Sequence, residues 1–436
     1  MPFADPLLPL IYATALLLVW LPYGLRRKRR SGRARDVIEA SKAQGLMEPA
    51  SLHPIIDGRV CMGCGTCVAA CPERDVLGLI DGKAALITPA NCIGHGVCKD
   101  ACPTGALTLV LGTKTRGVDI PVLDAGFQTN VPGIFVAGEL GGMGLIRNAI
   151  EQGRLVIDSI RRSRASARAD CLDVLIVGAG PAGFSASLAA IEHGLRSVTL
   201  EQETLGGTVN HYPRGKIVMT APVHLPLYGM VRLRETTKEA LLDFWAEVAR
   251  KTRVRIRYRE RVESISRRGE LFEVVSNGGV YRARSVVLAI GRRGTPRKLG
   301  VRGEELDKVV YRLIEPEQYR GRKVLVVGGG DSALEAATTL AEEPGTGVVL
   351  AYRNAAFSRA KAKNRTRLET AARAGRVGVM LNSHVVEIAR SAVQLQKGDR
   401  GVAIENDSVL VCAGGIVPNA FLESVGVKIQ TKYGTE

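Results

Sequence analysis

"DVLIVGAGPAGFSASLAAIEHG" (residues 173–194) decides how this chain is read. An apolar strand runs into Gly-x-Gly-x-x-Gly, and an amphipathic helix follows. Gly178 permits the tight turn, Gly180 lets the backbone approach a pyrophosphate, and Gly183 lets helix and strand pack closely. The helix N-terminus then faces the phosphates. Glu201 closes the next strand, "SVTLEQ", 23 residues after Gly178, where it can accept from a ribose hydroxyl. Three glycines alone are a weak signal. Strand, helix and terminal acid together make a strong one.

A second unit of the same design is "KVLVVGGGDSALEAATTLA" (323–341), with Gly328, Gly330 and Ala333 in the fingerprint positions. Its following strand, "GVVLAYRN", ends without an acid. Arg353 stands there, with Arg359, Lys361 and Lys363 close behind. A cation at this point suits a 2′-phosphate and favours NADPH over NADH; a solvated basic loop is the plain alternative. Strands alternating with helices predict α/β domains with parallel sheets covered on both faces.

Seven of the nine cysteines crowd into residues 61–102. "CMGCGTCVAACP" supplies Cys61, Cys64, Cys67 and Cys71; "CIGHGVCKDACP" supplies Cys92, His95, Cys98 and Cys102. The spacing C-x2-C-x2-C-x3-C-P resembles that of bacterial two-cluster ferredoxins, over about 45 residues. By that resemblance Cys61, Cys64, Cys67 and Cys102 hold one 4Fe-4S cluster, and Cys92, Cys98 and Cys71 hold the other. His95 departs from the family, which has cysteine there. Either its imidazole ligates iron, or the site holds a 3Fe-4S cluster and His95 is a loop residue. A neutral ligand in place of a thiolate would raise the potential. Zinc needs four ligands per ion and has no use for this interleaved spacing.

Two fingerprints in this order resemble the thioredoxin-reductase-like flavoproteins over residues 116–436. The resemblance implies FAD at the first site and NAD(P)H at the second. "LGGT" (205–208) resembles the family's second flavin glycine pair and assigns Gly206 and Gly207 to FAD. "VVLAIGRRGTP" (286–296) and "VLVCAGGIVPN" (409–419) resemble the strands that cross between the two domains. The family closes its flavin pocket late in the chain with G-[IV]-F-x-A-G-D and a helix. Here "GIFVAGE" (133–139) and "IRNAIEQG" (146–153) come before the first fingerprint, and the resemblance gives Gly138, Glu139 and Arg147 to the flavin. A circular permutation is the simplest account, with "RRSRASARAD" (161–170) as the new linker. It expects residues 427–436 beside residues 117–125. The family's C-x-x-C before the second fingerprint is missing from "VVYRLIEPEQYRG" (309–321), and Cys171 and Cys412 are isolated and inert. The cysteine-free branch includes ferredoxin–NADP reductases, so the chain looks like such an enzyme fused to its own ferredoxin. His211 and His224 are read as structural, and no catalytic residue is singled out.

The formal charge is +17, and "RRKRRSGRAR" (26–35) holds seven positive charges and no acid. It follows "LLPLIYATALLLVWLPYGL" (7–25), nineteen residues without a charge. A helix of that length, at ~1.5 Å per residue, nearly spans a ~30 Å hydrocarbon core. The expectation is a single-pass membrane anchor with the redox domains in the cytoplasm. Few aromatics argue against nucleic acid. The predicted fold class is α/β: two Rossmann-like domains, the FAD domain permuted, plus a small α+β dicluster ferredoxin domain and an N-terminal transmembrane helix. The boundaries read as anchor 1–25, basic linker 26–58, ferredoxin-like domain 59–112, closing segment 113–160, linker 161–170, FAD domain 171–294, NAD(P)H domain 295–404 and return to the FAD domain 405–436.

Together these readings describe a membrane-anchored oxidoreductase. It moves electrons between NAD(P)H, FAD and two iron-sulfur clusters, then to or from an unidentified one-electron donor or acceptor. A homodimer is compatible. The competing readings are a flavin-dependent reductase of a low-molecular-weight disulfide and a redox sensor with slow turnover.

Overall fold

The computed structural model describes residues 7–49, 52–73, 75–142, 144–163, 171–212, 214–219, 222–232, 236–292 and 295–434. Most of the 161–170 linker lies outside these residues. The chain groups into two compact units. One comprises Met1–Lys114, Ala356–Ala362 and Gly434–Glu436; the other comprises Thr115–Ala355 and Lys363–Tyr433.

The first unit is built on two short antiparallel pairs. His53–Ile56 lies against Leu107–Val110, and Leu77–Ile80 against Lys83–Leu86. The cysteine-rich unit therefore starts ahead of residue 59. Two short helices, Thr66–Ala70 and Val97–Asp100, each open from a left-handed glycine, Gly65 or Gly96. Val76, Leu77, Ala84, Ala106 and Leu107 pack around Cys61, Cys67 and Cys98 to make the core.

The N-terminal helix, Leu7–Ala43, is one unbroken 37-residue element. Residues 26–43, expected as linker, are its second half, and small residues let it lie on the Leu77–Leu86 hairpin. Ala34 is buried beside Gly78. Ser31 Oγ donates to Asp81 Oδ1 at 3.3 Å, and Arg35 Nη2 donates to both Asp81 oxygens at 2.7 and 2.6 Å. Ser41 and Thr88 share a buried hydrogen bond of 2.9 Å. This corrects the membrane expectation. Among the described residues no helix is long and apolar enough to cross a membrane. The uncharged run is diluted by Tyr12, Thr14, Pro22, Tyr23 and Gly24 and passes without a break into the cationic half. The single-pass anchor, and the membrane location with cytoplasmic redox domains that followed from it, are withdrawn.

In the second unit one parallel sheet carries the first fingerprint. Its order is Ile256–Tyr258, Ser197–Glu201, Leu172–Val177, the second half of Gly279–Leu288, and Ile134–Val136. The first half of Gly279–Leu288 continues into an antiparallel meander with Leu271–Ser276 and Val262–Arg268. Leu172–Val177 is buried along nearly its whole length, as a central parallel strand must be. The helices Ile146–Arg162 and Pro181–Glu192 cover one face through Val156, Ile157, Ala182, Ala186 and Ala189. The other face is covered in part by Leu422 and Val427 near the C-terminus. From there Ile429–Lys432 pairs antiparallel with Val118–Pro121, and Asn130 bonds both Gly426 O and Lys428 N.

A second parallel sheet carries the other fingerprint, in the order Val309–Val310, Ser408–Val411, Lys323–Val327, Gly347–Ala351, Val377–Met380. The crossing strands meet as a short antiparallel pair, Thr295–Pro296 with Gly415–Ile416.

The helix Ile146–Arg162 lies on Pro181–Glu192 because Gly153 has no side chain; a Cβ there would overlap the Ala182 carbonyl. Gly153→Ala is therefore expected to destabilise this unit by about 1–3 kcal/mol, the usual cost of overpacking. Gly401→Ala, with nothing within 4 Å of the new methyl, should change it by less than ~0.5 kcal/mol. Denaturant titration followed by the fluorescence of buried Trp245 measures both.

Candidate functional site

At the first fingerprint each glycine meets a distinct demand. Gly178 has φ 99°, and a Cβ would lie 2.6 Å from Ala289 O. A Cβ on Gly183 would overlap Gly178 O. Gly180 alone is open, with Gly206 O its nearest neighbour at 3.9 Å from a Cβ position. Gly206 N donates to Ala179 O at 3.0 Å, so the 206–207 turn lies on the fingerprint turn. Glu201 is 5% exposed. Its Oε2 accepts from Ala179 N at 2.6 Å and its Oε1 from Glu203 N at 2.8 Å. Burial pushes its carboxyl above the usual range, and the two N–H bonds pull it back down. Glu201 thus anchors the glycine turn, a role that the spacing alone did not announce.

The segment ahead of the fingerprint reaches the same turn. Gly138, at φ 88°, donates its N–H to the buried Gln152 Oε1 at 2.8 Å, and a Cβ on it would lie 3.0 Å from Ala182 Cβ. Gly153 meets Ala182, and Asp158 Oδ1 stands 3.2 Å from His193 Nε2 at the far end of the neighbouring helix. The two helices therefore run parallel, and both N-termini point to the end of the sheet that carries Gly180. Arg147 is exposed in the first turn of Ile146–Arg162, and Glu139 is half-buried beside Gly144. Gln152 was missed by sequence reading. A polar residue on the buried stripe of an amphipathic helix was the available signal.

At the second fingerprint Gly328 has φ 150° and abuts Cys412 O. The Tyr352 ring fills the space a Gly329 side chain would need, and Gly330 has nothing within 4 Å. Gly328 N donates to Ala351 O at 3.0 Å, which sets the exposed Arg353 two residues past that contact. Ala333 is fully buried under the turn. Lys363 is exposed at the start of Ala362–Arg373. Arg359 and Lys361 fall on Ala356–Ala362, the segment that groups with the first unit. Between the two nucleotide domains, Lys216 Nζ pairs with Glu335 Oε2 at 2.7 Å, and Arg312 reaches both Glu203 and His211. His211 also pairs with Glu203 at 2.5 Å, a structural use, and His224 is exposed on Val223–Leu225.

In the ferredoxin-like unit the two cysteine runs share one backbone. Gly63 and Gly65 flank Cys64 at φ 72° and 79°; Gly94 and Gly96 flank His95 at φ 81° and 83°. A Cβ on Gly65 would lie 3.3 Å from Leu79 Cδ1, and one on Gly96 would lie 3.3 Å from Leu109 Cδ1. The charge neighbours sort into two sets. Cys67 feels Cys61 and Cys64, and Cys64 feels Cys102, whereas Cys98 feels Cys92 and Cys71. A small cavity of about 20 Å³ is lined by Cys71, Cys92, His95 and Cys98. Burial raises the Cys71, Cys92 and Cys98 thiols, so their thiolates need a cationic centre. Cys64 differs: it is exposed, and the Thr66 hydroxyl 3.0 Å from its sulfur lowers its pKa. The donor set, seven cysteines and one histidine in two runs, fits iron-sulfur clusters, although among the described residues no three donors stand close enough to hold a single metal ion.

Residues 175–435 match the profile of the pyridine nucleotide-disulphide oxidoreductases. The chain belongs to this family. Residues 53–103 match the 4Fe-4S dicluster domain. A ferredoxin–NADP reductase of Ignicoccus hospitalis is 31% identical over 267 residues, which cover 60% of this chain and 83% of that one. The bacilliredoxin reductase of Bacillus subtilis is 25% identical, covering 60% and 82%. Among solved structures, the bacillithiol disulfide reductase of Bacillus cereus aligns with a TM-score of 0.55 at 27% identity, covering 59% of this chain and 82% of that one. This member of the pyridine nucleotide-disulphide oxidoreductase family is an NAD(P)H-dependent FAD oxidoreductase with an iron-sulfur domain, and its cofactors are FAD, NADPH and iron-sulfur clusters.

Outside residues 61–102 the family member has only Cys171, which is buried, and Cys412, whose thiol burial pushes up to about 12. Neither forms a disulfide. Glu201→Ala would strand the buried Ala179 N–H at about 1–3 kcal/mol and the half-buried Glu203 N–H at less. The expected result is loss of FAD affinity by more than tenfold, read by flavin fluorescence on dilution. Glu201→Gln keeps an acceptor oxygen and should lose less.

Proposed function

We propose that this enzyme passes electrons between NADPH and a one-electron partner by way of FAD and two iron-sulfur clusters. When bound, FAD accepts a hydride and releases electrons singly, and each cluster carries one electron at a time. The observation that carries the reading is the pairing of Ile134–Val136 with Val286–Leu288, which sets a segment continuous with the ferredoxin unit beside the flavin fingerprint. A circular permutation of the FAD domain is the account this pairing supports. The antiparallel contact of Ile429–Lys432 with Val118–Pro121 supports it too.

In this reading Gly178, Gly180, Gly183, Gly206 and Gly207 cradle the FAD pyrophosphate, while Gly138 and the first turn bearing Arg147 face the flavin. Glu201 orients the cradle, and Glu139 is offered to the ribityl chain. Gly328, Gly330 and Ala333 serve the nicotinamide nucleotide, and Arg353 meets the 2′-phosphate. Cys61, Cys64, Cys67 and Cys102 ligate one cluster; Cys71, Cys92, Cys98 and His95 ligate the other. The matching loops around Cys64 and His95 favour His95 as a ligand, because the glycines that flank each take nearly equal φ angles.

Anaerobic titration with NADPH, followed optically and by electron paramagnetic resonance, tests the scheme. The flavin should bleach first and the clusters follow, with about eight irons per chain. Arg353→Ala should raise the NADPH requirement about tenfold and leave NADH nearly unchanged, because a charge-assisted bond is worth ~1.5–3 kcal/mol. His95→Cys should lower one cluster's potential by roughly 100 mV or more. About seven irons, with an oxidised three-iron signal that this substitution abolishes, would remove His95 from the ligand set.

A second reading is a reductase of a low-molecular-weight disulfide, favoured by the likeness to the bacillithiol disulfide reductase. It expects NADPH consumption driven by bacillithiol disulfide with the clusters left oxidised. The scheme above expects no such consumption.

A further inference from the structure

The first and second cysteine runs share a backbone but not an environment. Cys64 is exposed, whereas His95, at the matching position, is half-buried and lines a small pocket. The first run is therefore the side from which electrons can leave the ferredoxin unit. Its outer surface is cationic by construction. A Cβ on Gly63 would overlap Gly82 O, so the Cys64 loop lies on the Asp81–Gly82 turn. The Arg27 guanidinium lies over Gly82 in turn. Arg35 holds Asp81 from the next turns of the helix, and Lys83 Nζ donates to Cys61 O at 2.5 Å. Two hairpin-side acids are engaged by arginines of this helix: Asp81 by Arg35 at 2.6 Å and Asp75 by Arg33 at 3.8 Å. Arg26, Lys28, Arg29 and Arg30 remain exposed towards solvent.

We propose that the cationic turns Arg26–Arg30, with the hairpin they rest on, form the docking surface for an acidic one-electron carrier protein that exchanges electrons through the cluster bounded by Cys64. Charge complementarity selects this occupant. The patch is joined to the Cys64 loop through Arg27 and Gly82, and its charge acts over about one Debye length, ~10 Å at 0.1 M salt. Opposed charge there raises the encounter rate and suppresses basic partners. The electrons balance as one NADPH oxidised to NADP and a proton for two carriers reduced, each taking one electron. The proposal rests on the function proposed above, and its test separates the two.

The test uses the full-length holoprotein and its quadruple variant Arg26→Glu, Lys28→Glu, Arg29→Glu, Arg30→Glu, with soluble cytochrome b5 as acidic probe and cytochrome c as basic probe. Affinity for oxidised cytochrome b5 is read by calorimetry, which needs no turnover. Expected for the wild type is binding that weakens more than tenfold between about 20 and 300 mM salt. The quadruple variant should weaken it more than tenfold at low salt, slow cytochrome b5 reduction as much, and speed cytochrome c reduction. Ferricyanide reduction with NADPH should be unchanged, which shows the variant folded. Cytochrome b5 affinity that ignores both salt and charge reversal overturns the proposal. So does a wild-type preference for cytochrome c, and so does a reversal that abolishes only binding to phosphatidylglycerol vesicles. If NADPH leaves the wild-type clusters oxidised while the calorimetric result holds, the function reading fails and the docking surface stands.

Discussion

The flavin-binding half depends on a missing Cβ. Helix Ile146–Arg162 must lie against Pro181–Glu192 closely enough for Gly153 to touch the Ala182 carbonyl. That approach sets both helix N-termini at the same end of the sheet and lets Gln152 reach Gly138 N–H. Each element then does two jobs. Ala182 is the first turn of a phosphate-facing helix and also the floor under the neighbouring strand's turn. Protein interiors pack without slack, so a methyl group at this contact would be felt at Gly180 and at Gly138 together.

How much of this could be read beforehand follows from how local each constraint is. Gly178, Gly180 and Gly183 answer demands set within a single turn, and spacing exposes them. The cysteine runs are legible for the same reason. Gln152 serves Gly138 and is marked only as a polar residue on a buried stripe; Gly153 serves Ala182, about thirty residues on, and nothing in its own window marks it. The N-terminal helix misled because its apolar run is conspicuous and its docking stripe is not. Ser31, Ala34 and Ser41 are small residues buried among arginines, and charge conceals them from a reading by hydropathy. Arg359 and Lys361 follow Arg353 closely in sequence, yet a compact unit is defined by contacts, and theirs lie elsewhere.

The ferredoxin unit shows how one backbone can carry two chemistries. Two Gly-x-Gly loops with nearly equal φ angles present a thiol at one position and an imidazole at the other. Cys64 has Thr66 as a hydroxyl neighbour and open solvent; His95 is half-buried and lines a small pocket with Val97. A fold repeated with altered surroundings sets potentials apart without altering the scaffold.

Strand order also bears on how the chain emerges during translation. The pairs that close the ferredoxin unit, ending at Val110, leave the ribosome before any of the flavin sheet. Ile134–Val136 then appears with only local hydrogen bonds to residues 127–131 until Val286–Leu288 has been made, and Val118–Pro121 waits for Ile429–Lys432. The nascent polypeptide thus carries two β segments without their strand partners until residue 288 is made, and one of them until residue 432, a state open to misassociation.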